Sequence, residues 1–211
     1  MRHAEWLLHL LTDGVLMGPT GPEAQPLITV IGATTDVGRL PETLVSRFGL
    51  RPVLAAYSDH EGCIIAMKMA PAIFTDLAPF PSVEDFTAIA TAANNNPRLI
   101  RAVLESLRDL ALVDLDSVYD GAAYDLSEAL TWLGLTGDGL TYLALRYLQA
   151  LHTEFAGQAG EQSLADRLQE PGGVASTERL LQDKGLIAKT RAGRVLTAAG
   201  IRGRGHGREA P

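Results

Sequence analysis

Apolar residues recur along this chain with two different periods, and the changes of period mark its organisation. Near the start Trp6, Leu7, Leu10 and Leu11 share one face at helical spacing, which predicts a helix over residues 1–11. Asp13-Gly14 and Gly18-Pro19-Thr20-Gly21-Pro22 are turn sequences. Leu27 to Ala33 is a short, nearly continuous apolar run between Pro26 and Thr34-Thr35, the pattern of a strand buried on both faces. Pro41 opens a short helix through Arg47, Pro52 to Tyr57 is a second strand, and Ser58 to Ala70 is a helix. Pro71 to Pro81, with prolines at 71, 79 and 81, is loop-like. The chain then turns helical over Val83–Ala93, Pro97–Leu112 and about Ser117–Leu133. Ile100, Val103, Leu104, Leu107 and Ala111 make one apolar stripe on the middle helix, so this stretch reads as a small all-helical subdomain.

Thr136-Gly137-Asp138-Gly139 is a linker sequence. Beyond it Leu140, Leu143, Ala144, Tyr147, Leu148 and Leu151 fall on one helical face. Ser163-Leu164-Ala165-Asp166 resembles a capping box opening a second helix. Ser176 to Lys184 is a third, stopped by Gly185. Leu186–Lys189 and Arg194–Thr197 are strands around the hairpin sequence Thr190-Arg191-Ala192-Gly193. Three helices and a terminal hairpin predict a winged helix-turn-helix. No internal repeat is visible.

Composition adds limits. At 211 residues and 46% hydrophobic, the chain has room for one large domain or two to three small ones. No apolar run is long enough to cross a bilayer. The first residues lack the pattern of a signal peptide, so a cytoplasmic location is expected and no membrane partner. Cys63 is the only cysteine, which excludes an intramolecular disulfide and a multi-cysteine metal site. His3, His9, His152 and His206 show no ligand spacing, and no metal site is expected. The formal net charge of −7 argues against nucleic acid until its distribution is considered. From Lys184 to Arg208 seven basic residues occur without one acid, which leaves −14 on the remainder. A basic end on an acidic body is an electrostatic footprint for phosphate, although a solvated basic tail has the same composition. Residues 201–211, rich in Arg and Gly, read as a disordered tail.

Three constellations bear on chemistry. Thr34 ends the first apolar strand and Arg47 ends the next short helix. A hydroxyl at a strand end can orient a water or touch a phosphate, and an arginine on an exposed edge can reach a neighbour's nucleotide. By spacing alone the same residues suit an ordinary strand–turn–helix with a surface arginine. Asn94-Asn95-Asn96-Pro97-Arg98 starts a helix with an arginine in its first turn, where the helix dipole mildly disfavours a cation. Lys189-Thr190-Arg191-Ala192-Gly193-Arg194 offers cations at a hairpin tip, with Lys184 and Gln182 near the end of the preceding helix. Such a tip can bind phosphates without reading bases, and a winged helix can equally serve protein contacts.

The Gly32-Ala33-Thr34-Thr35 string, followed by a helix ending in Arg47-Phe48-Gly49, resembles the sensor-one strand and arginine-finger segment of the RuvB family. These are AAA+ ATPases that drive branch migration of Holliday junctions in recombination and repair. The Pro97-Arg98 pair resembles the family's sensor-two site, and Lys189 to Thr197 resembles its wing. The resemblance implies an α/β AAA+ core (1–70), an all-α lid (71–135), a winged-helix DNA-binding domain (137–200) and the basic tail. It implies Thr34 as sensor one and Arg47 as a finger acting in trans. It also implies Pro97 and Arg98 at the nucleotide, and Lys184, Lys189, Arg191 and Arg194 on DNA. The implied ligands are ATP with magnesium and duplex or four-way-junction DNA, and the implied assembly is a hexameric ring. Ser46-Arg47 also resembles the Ser-Arg pair of clamp-loader subunits, and a winged-helix regulator with an ATPase remnant is a further alternative. The sequence departs from the family in having neither a Gly-x-x-x-x-Gly-Lys-Ser/Thr loop nor an acidic Walker B strand. The resemblance therefore covers the C-terminal portion, a truncated core is expected, and the chain alone is not expected to hydrolyse or tightly hold ATP. The segment Val15–Pro26 is shorter than the family's hairpin for the junction-binding protein RuvA, which makes that contact doubtful.

Overall fold

The computed structural model describes residues 5–26, 28–75, 81–113, 125–170 and 173–202. Helices and short antiparallel strands make up a mixed, helix-rich fold. Packing divides the chain into residues 1–55 and 56–211.

In the first unit α1 (Glu5–Asp13) leads into a hairpin of β1 (Val15–Gly18) and β2 (Gly21–Ala24). The turn sequence Gly18-Pro19-Thr20-Gly21 is its tip, with Val15 opposite Ala24 and Gly18 opposite Gly21. A 3-10 turn over Val37–Arg39 and α2 (Glu42–Val45), with Pro41 at its N-cap, complete the regular structure. Two expected strands are absent. Residues 28–33 and 52–57 carry no regular secondary structure and pair with no strand among the described residues. Ile31, Val53 and Leu54 are 91%, 94% and 92% exposed. The reason is physical. A strand apolar on both faces is stable only between neighbours that satisfy its backbone and cover its side chains, and the described residues supply none. Among the described residues of this unit, Leu44 is the buried apolar side chain.

The second unit begins at a capping box. The Glu61 N–H donates to Ser58 Oγ (3.3 Å), and the Ser58 N–H donates to Glu61 Oε2 (2.8 Å). The Ser58 N–H foremost, and then its hydroxyl, which also donates to Glu61 Oε2 (2.8 Å), hold the Glu61 carboxyl below its ordinary value. Helix α3 (Asp59–Ile73) then runs past Pro71, which was expected to open a loop. Proline lacks one N–H, and near a helix end this forfeits a single bond, while the Phe74 N–H still reaches the Ala70 carbonyl. A second box, Ser82 with Asp85, opens α4 (Val83–Ala92). Next come α5 (Pro97–Val113) and α6 (Leu126–Trp132), the latter capped by Asp125. The expected helix from Ser117 is thus described only from Leu126, and residues 114–124 lie outside the described residues. The stripe Ile100, Val103, Leu104, Leu107 and Ala111 is buried against Ala66, Ala70, Phe74, Phe86, Ile89 and Leu130.

The linker sequence is a closed turn. Leu135 bridges Thr141 in antiparallel fashion, and the Gly139 N–H donates to the Thr136 carbonyl (2.9 Å). Thr141 caps α7 (Tyr142–Thr153). The chain continues through β3 (Gln158–Ala159), α8 (Glu161–Leu168), α9 (Ala175–Asp183), β4 (Ile187–Thr190), β5 (Gly193–Leu196) and α10 (Ala198–Arg202). The three strands form one antiparallel sheet in the order β3-β5-β4. Two expectations change here. Helix α8 begins at Glu161 because β3 delivers the chain directly to Gly160, so Ser163 and Asp166 lie inside the helix and form no capping box. Ile201 and Arg202 are helical, because the Thr197 hydroxyl accepts the Gly200 N–H (3.0 Å) and starts α10, while residues 203–211 lie outside the described residues. A separate core of Leu140, Ala144, Tyr147, Leu148, Leu151, Leu164, Leu168, Val174, Leu181, Ile187 and Leu196 fills the space beneath the sheet.

This division of burial makes a direct prediction. Leu104→Ala should destabilise the second unit by roughly 2–5 kcal/mol, because the deleted atoms leave a cavity. Ile31→Ala should change stability by less than about 0.5 kcal/mol. Urea unfolding followed by circular dichroism checks both, and a comparable loss in Ile31→Ala would mean that residue is covered.

Candidate nucleic-acid interface

The hairpin of β4 and β5 is fixed by its turn chemistry. Ile187 lies opposite Leu196 and Thr190 opposite Gly193, leaving Arg191-Ala192 at the tip. The Thr190 hydroxyl donates to the Gly193 carbonyl (2.9 Å) and accepts the Ala192 N–H (3.2 Å). Gln158 Nε2 from β3 donates to the Ala192 carbonyl (3.1 Å). Gly193 has φ +123°, and a Cβ there would collide with the Ala159 carbonyl, so only glycine lets the wing lie against β3. Lys189 and Arg191 are exposed at this braced tip, and their charged groups have no hydrogen-bond or ion-pair partner among the described residues.

Arg194 sits differently from the exposed tip position expected for it. It is 7% exposed. Its Nη2 donates to Glu178 Oε2 on α9 (2.8 Å) and to Glu161 Oε2 on α8. The other oxygen of the 5% exposed Glu178 accepts the Tyr147 hydroxyl from α7 (2.9 Å). Four side chains thus tie the wing to α7, α8 and α9. The bond from Glu178 chiefly raises the Arg194 pKa against the opposing effect of burial. Burial first, and then its bond to Glu178, pushes the Tyr147 phenol well above its ordinary value, so it stays a donor. Arg194 Nε is buried with no partner. The guanidinium is committed to the interior, and its distances suit a structural brace.

Lys184, at the C-cap of α9, is also engaged: its Nζ donates to the Asp138 carbonyl (2.6 Å). Of the residues expected at nucleotide, Thr34 and Arg47 belong to the first unit and Pro97 and Arg98 to the second. The Thr34 hydroxyl accepts the Asp36 N–H (3.0 Å). Arg47 is exposed just beyond α2. Arg98 is exposed in the first turn of α5, with its backbone N–H on Asn96 Oδ1 (3.0 Å). Arg101, one turn on, pairs with Glu105 (2.8 Å). Among the described residues no cluster of three His, Cys, Asp or Glu could hold a metal ion. The sequence contains no Gly-x-x-x-x-Gly-Lys-Ser/Thr phosphate loop. No helix among the described residues is long and apolar enough to cross a membrane.

Residues 137–203 match the family model for the RuvB C-terminal winged helix domain. The Holliday junction branch migration complex subunit RuvB of Anaplasma phagocytophilum is 31% identical over 178 residues, covering 83% of this chain and 52% of that protein. The same subunit from Bifidobacterium adolescentis is 33% identical over 212 residues, covering 93% and 56%. This chain belongs to the RuvB family, matching its C-terminal portion. The chain spans about half the length of the curated relatives it matches. The solved structure of the Thermotoga maritima RuvB Holliday junction branch migration motor has the same fold, with a TM-score of 0.73 at 24% identity, covering 98% of this chain and 65% of that one.

In this RuvB-family wing the basic residues therefore fall into two sets. Lys189 and Arg191 face outward, and Arg194 and Lys184 have protein partners. The inward set was partly encoded. Val174, Thr177, Glu178 and Leu181 are buried at helical spacing, so Glu178 occupies a core position of α9. Arg194 shares the buried face of β5 with Leu196, two residues on. A buried ion pair stripped of one member leaves an uncompensated charge. Arg194→Ala should thus cost about 3–5 kcal/mol. Arg191→Ala should change stability by less than about 0.5 kcal/mol. Equal denaturation midpoints for the two variants would mean that Arg194 is not the brace.

Proposed function

We propose that this chain is the lid and DNA-engaging portion of a RuvB-type subunit, one that couples ATP hydrolysis to Holliday junction branch migration as part of a hexameric ring. The observation that carries this reading is the RuvB winged helix itself, with Lys189 and Arg191 displayed on a rigid, glycine-dependent tip. Two cations without fixed partners are free to meet phosphates, contacts that position a protein without carrying sequence information, which suits a protein that must move along any sequence. The stretch of sequence from Lys184 to Arg208, basic and free of acids, adds attraction toward the same polyanion. The winged helix is proposed over residues 137–200 and the lid through 135; the boundary expected at 70 falls inside α3, whose Ala66 and Ala70 pack in the core of the helical subdomain, so the lid is proposed to begin with α3.

The test is a salt titration of the whole chain on a plain duplex and on a four-way junction. Binding should show little sequence preference. Replacing Lys189 and Arg191 together by alanine should flatten the slope of log affinity against log salt by up to about 2. An unchanged slope would remove the wing from the interface.

At the nucleotide, the proposed roles are Thr34 as sensor one, Arg47 as a finger reaching a neighbour's ATP, and Arg98 with Pro97 as the sensor-two element. Positive charge near the transferred phosphoryl group stabilises the transition state more than the bound nucleotide. Joined to a phosphate-binding core of the family, the Arg47→Ala protein should lose turnover by on the order of a thousandfold with nucleotide binding nearly intact. Mixing it with a phosphate-loop variant should restore part of the rate, and parent-like hydrolysis by Arg47→Ala rings would reject the role.

A further inference from the structure

Three consecutive asparagines sit between α4 and α5, and each ties down a different element. Asn94 and Asn95 both have left-handed backbone, φ 50° and 55°. Asparagine tolerates this conformation better than most residues because its short amide can bond locally. Asn96 Oδ1 accepts the Arg98 N–H at the start of α5 (3.0 Å). Asn95 Nδ2 donates to Asp59 Oδ1 at the start of α3 (2.7 Å). Asn94 Nδ2 donates to the Gly139 carbonyl (2.7 Å), across the sequence to the turn that precedes the winged helix. Gly139 is buried with φ +75°, and a Cβ there would stand 2.5 Å from Asn94 Oδ1, so the amide lies directly against the turn.

The same turn is held from its other side. Lys184 Nζ, at the end of α9, donates to the Asp138 carbonyl (2.6 Å). Within the turn, the Leu140 N–H donates to Thr136 Oγ1 (2.9 Å), which keeps the two carbonyls in fixed directions. Beside it an open, shallow cleft is lined by Val83, Thr87 and Thr91 of α4 and by Gly137, while Leu135 packs against the helical core. Relative motion of two domains is the default where the interface between them is small, so directional bonds at the linker decide the angle.

We propose that Asn94 is a positioning residue: together with Lys184 it sets the angle between the helical subdomain and the winged helix. Displacement of the segment that opens α5 is thereby passed through the turn to α9 and the wing. The path is short. Asn94 precedes Arg98 by three intervening residues, and Lys184 ends the helix that carries Glu178, the anchor of Arg194. The use of the joint, linking a nucleotide-facing helix to a DNA-facing domain, rests on the function proposed above. The joint itself does not.

The experiment measures the angle without DNA or nucleotide. Nitroxide labels at Lys68→Cys on α3 and Arg179→Cys on α9, both exposed, in a Cys63→Ala background, report the distance distribution by double electron–electron resonance on the whole chain. Asn94→Asp has the same shape but cannot donate, and Asn94→Gly keeps the left-handed backbone while removing the side chain. Loss of one such bond should raise the population outside the parent distance peak by about fivefold. Lys184→Met should broaden the same distribution. Circular dichroism establishes that the variants are folded, and Asn94→Asp suffices if the glycine variant is not. Distributions identical to the parent in the folded Asn94 variants overturn the proposal. That result would leave the motor reading intact, whereas an unchanged salt slope in the titration above would count against that reading and leave the joint untouched.

Discussion

A charged group taken out of water needs opposite charge beside it, and the winged helix is organised around one that has it. The Arg194 guanidinium leaves β5 for the interior and meets Glu178 and Glu161, with Tyr147 completing the first carboxylate. Because the four residues come from the wing and from α7, α8 and α9, none of these elements can shift without stranding a charge. Hydrophobic burial beneath the sheet is less discriminating, since leucine and alanine side chains accept small displacements at little cost. The ion cluster converts a generic apolar core into one defined placement of the hairpin. The exposed tip inherits that definition, and Lys189 and Arg191 are aimed by contacts they do not make.

Much of this was legible in the chain. Helices with a regular apolar stripe, such as α5 and α7, follow from periodicity, and the start of α3 and the end of α9 from Ser58 and Gly185 placed where unpaired backbone groups need them. What the pattern hides is direction and company. Arg191 and Arg194 stand three residues apart in one hairpin sequence and look alike on paper, yet one faces solvent and the other the core. The distinguishing signals were indirect: a glutamate inside the stripe of α9, and an arginine in step with Leu196. Strand β3 was hidden for a different reason, since two residues are too few to show a period. Asn94 gave no signal as a bonding partner, because its partner lies forty-five residues away.

The run from residue 28 to 33 teaches the complementary point. Valine and isoleucine there encode a demand for cover, and the apolar pattern states that demand without stating who meets it. Among the described residues nothing does, and the backbone joins no strand. Thr34 directly follows this segment, and Arg47 lies beyond the 3-10 turn and α2 in the same unit. The winged helix, by contrast, closes its own sheet and covers its own core.

On the function proposed above, a hairpin tip carrying Lys189 and Arg191 would meet DNA chiefly through its phosphates, the feature repeated at every step of the duplex. Its hold would then be much the same wherever it landed, and the energy along the track nearly level. A foothold of that kind could be released and retaken with little penalty for the intervening sequence. Such a tip would have no brake of its own, and a preference for where to stop would come from the shape of the nucleic acid.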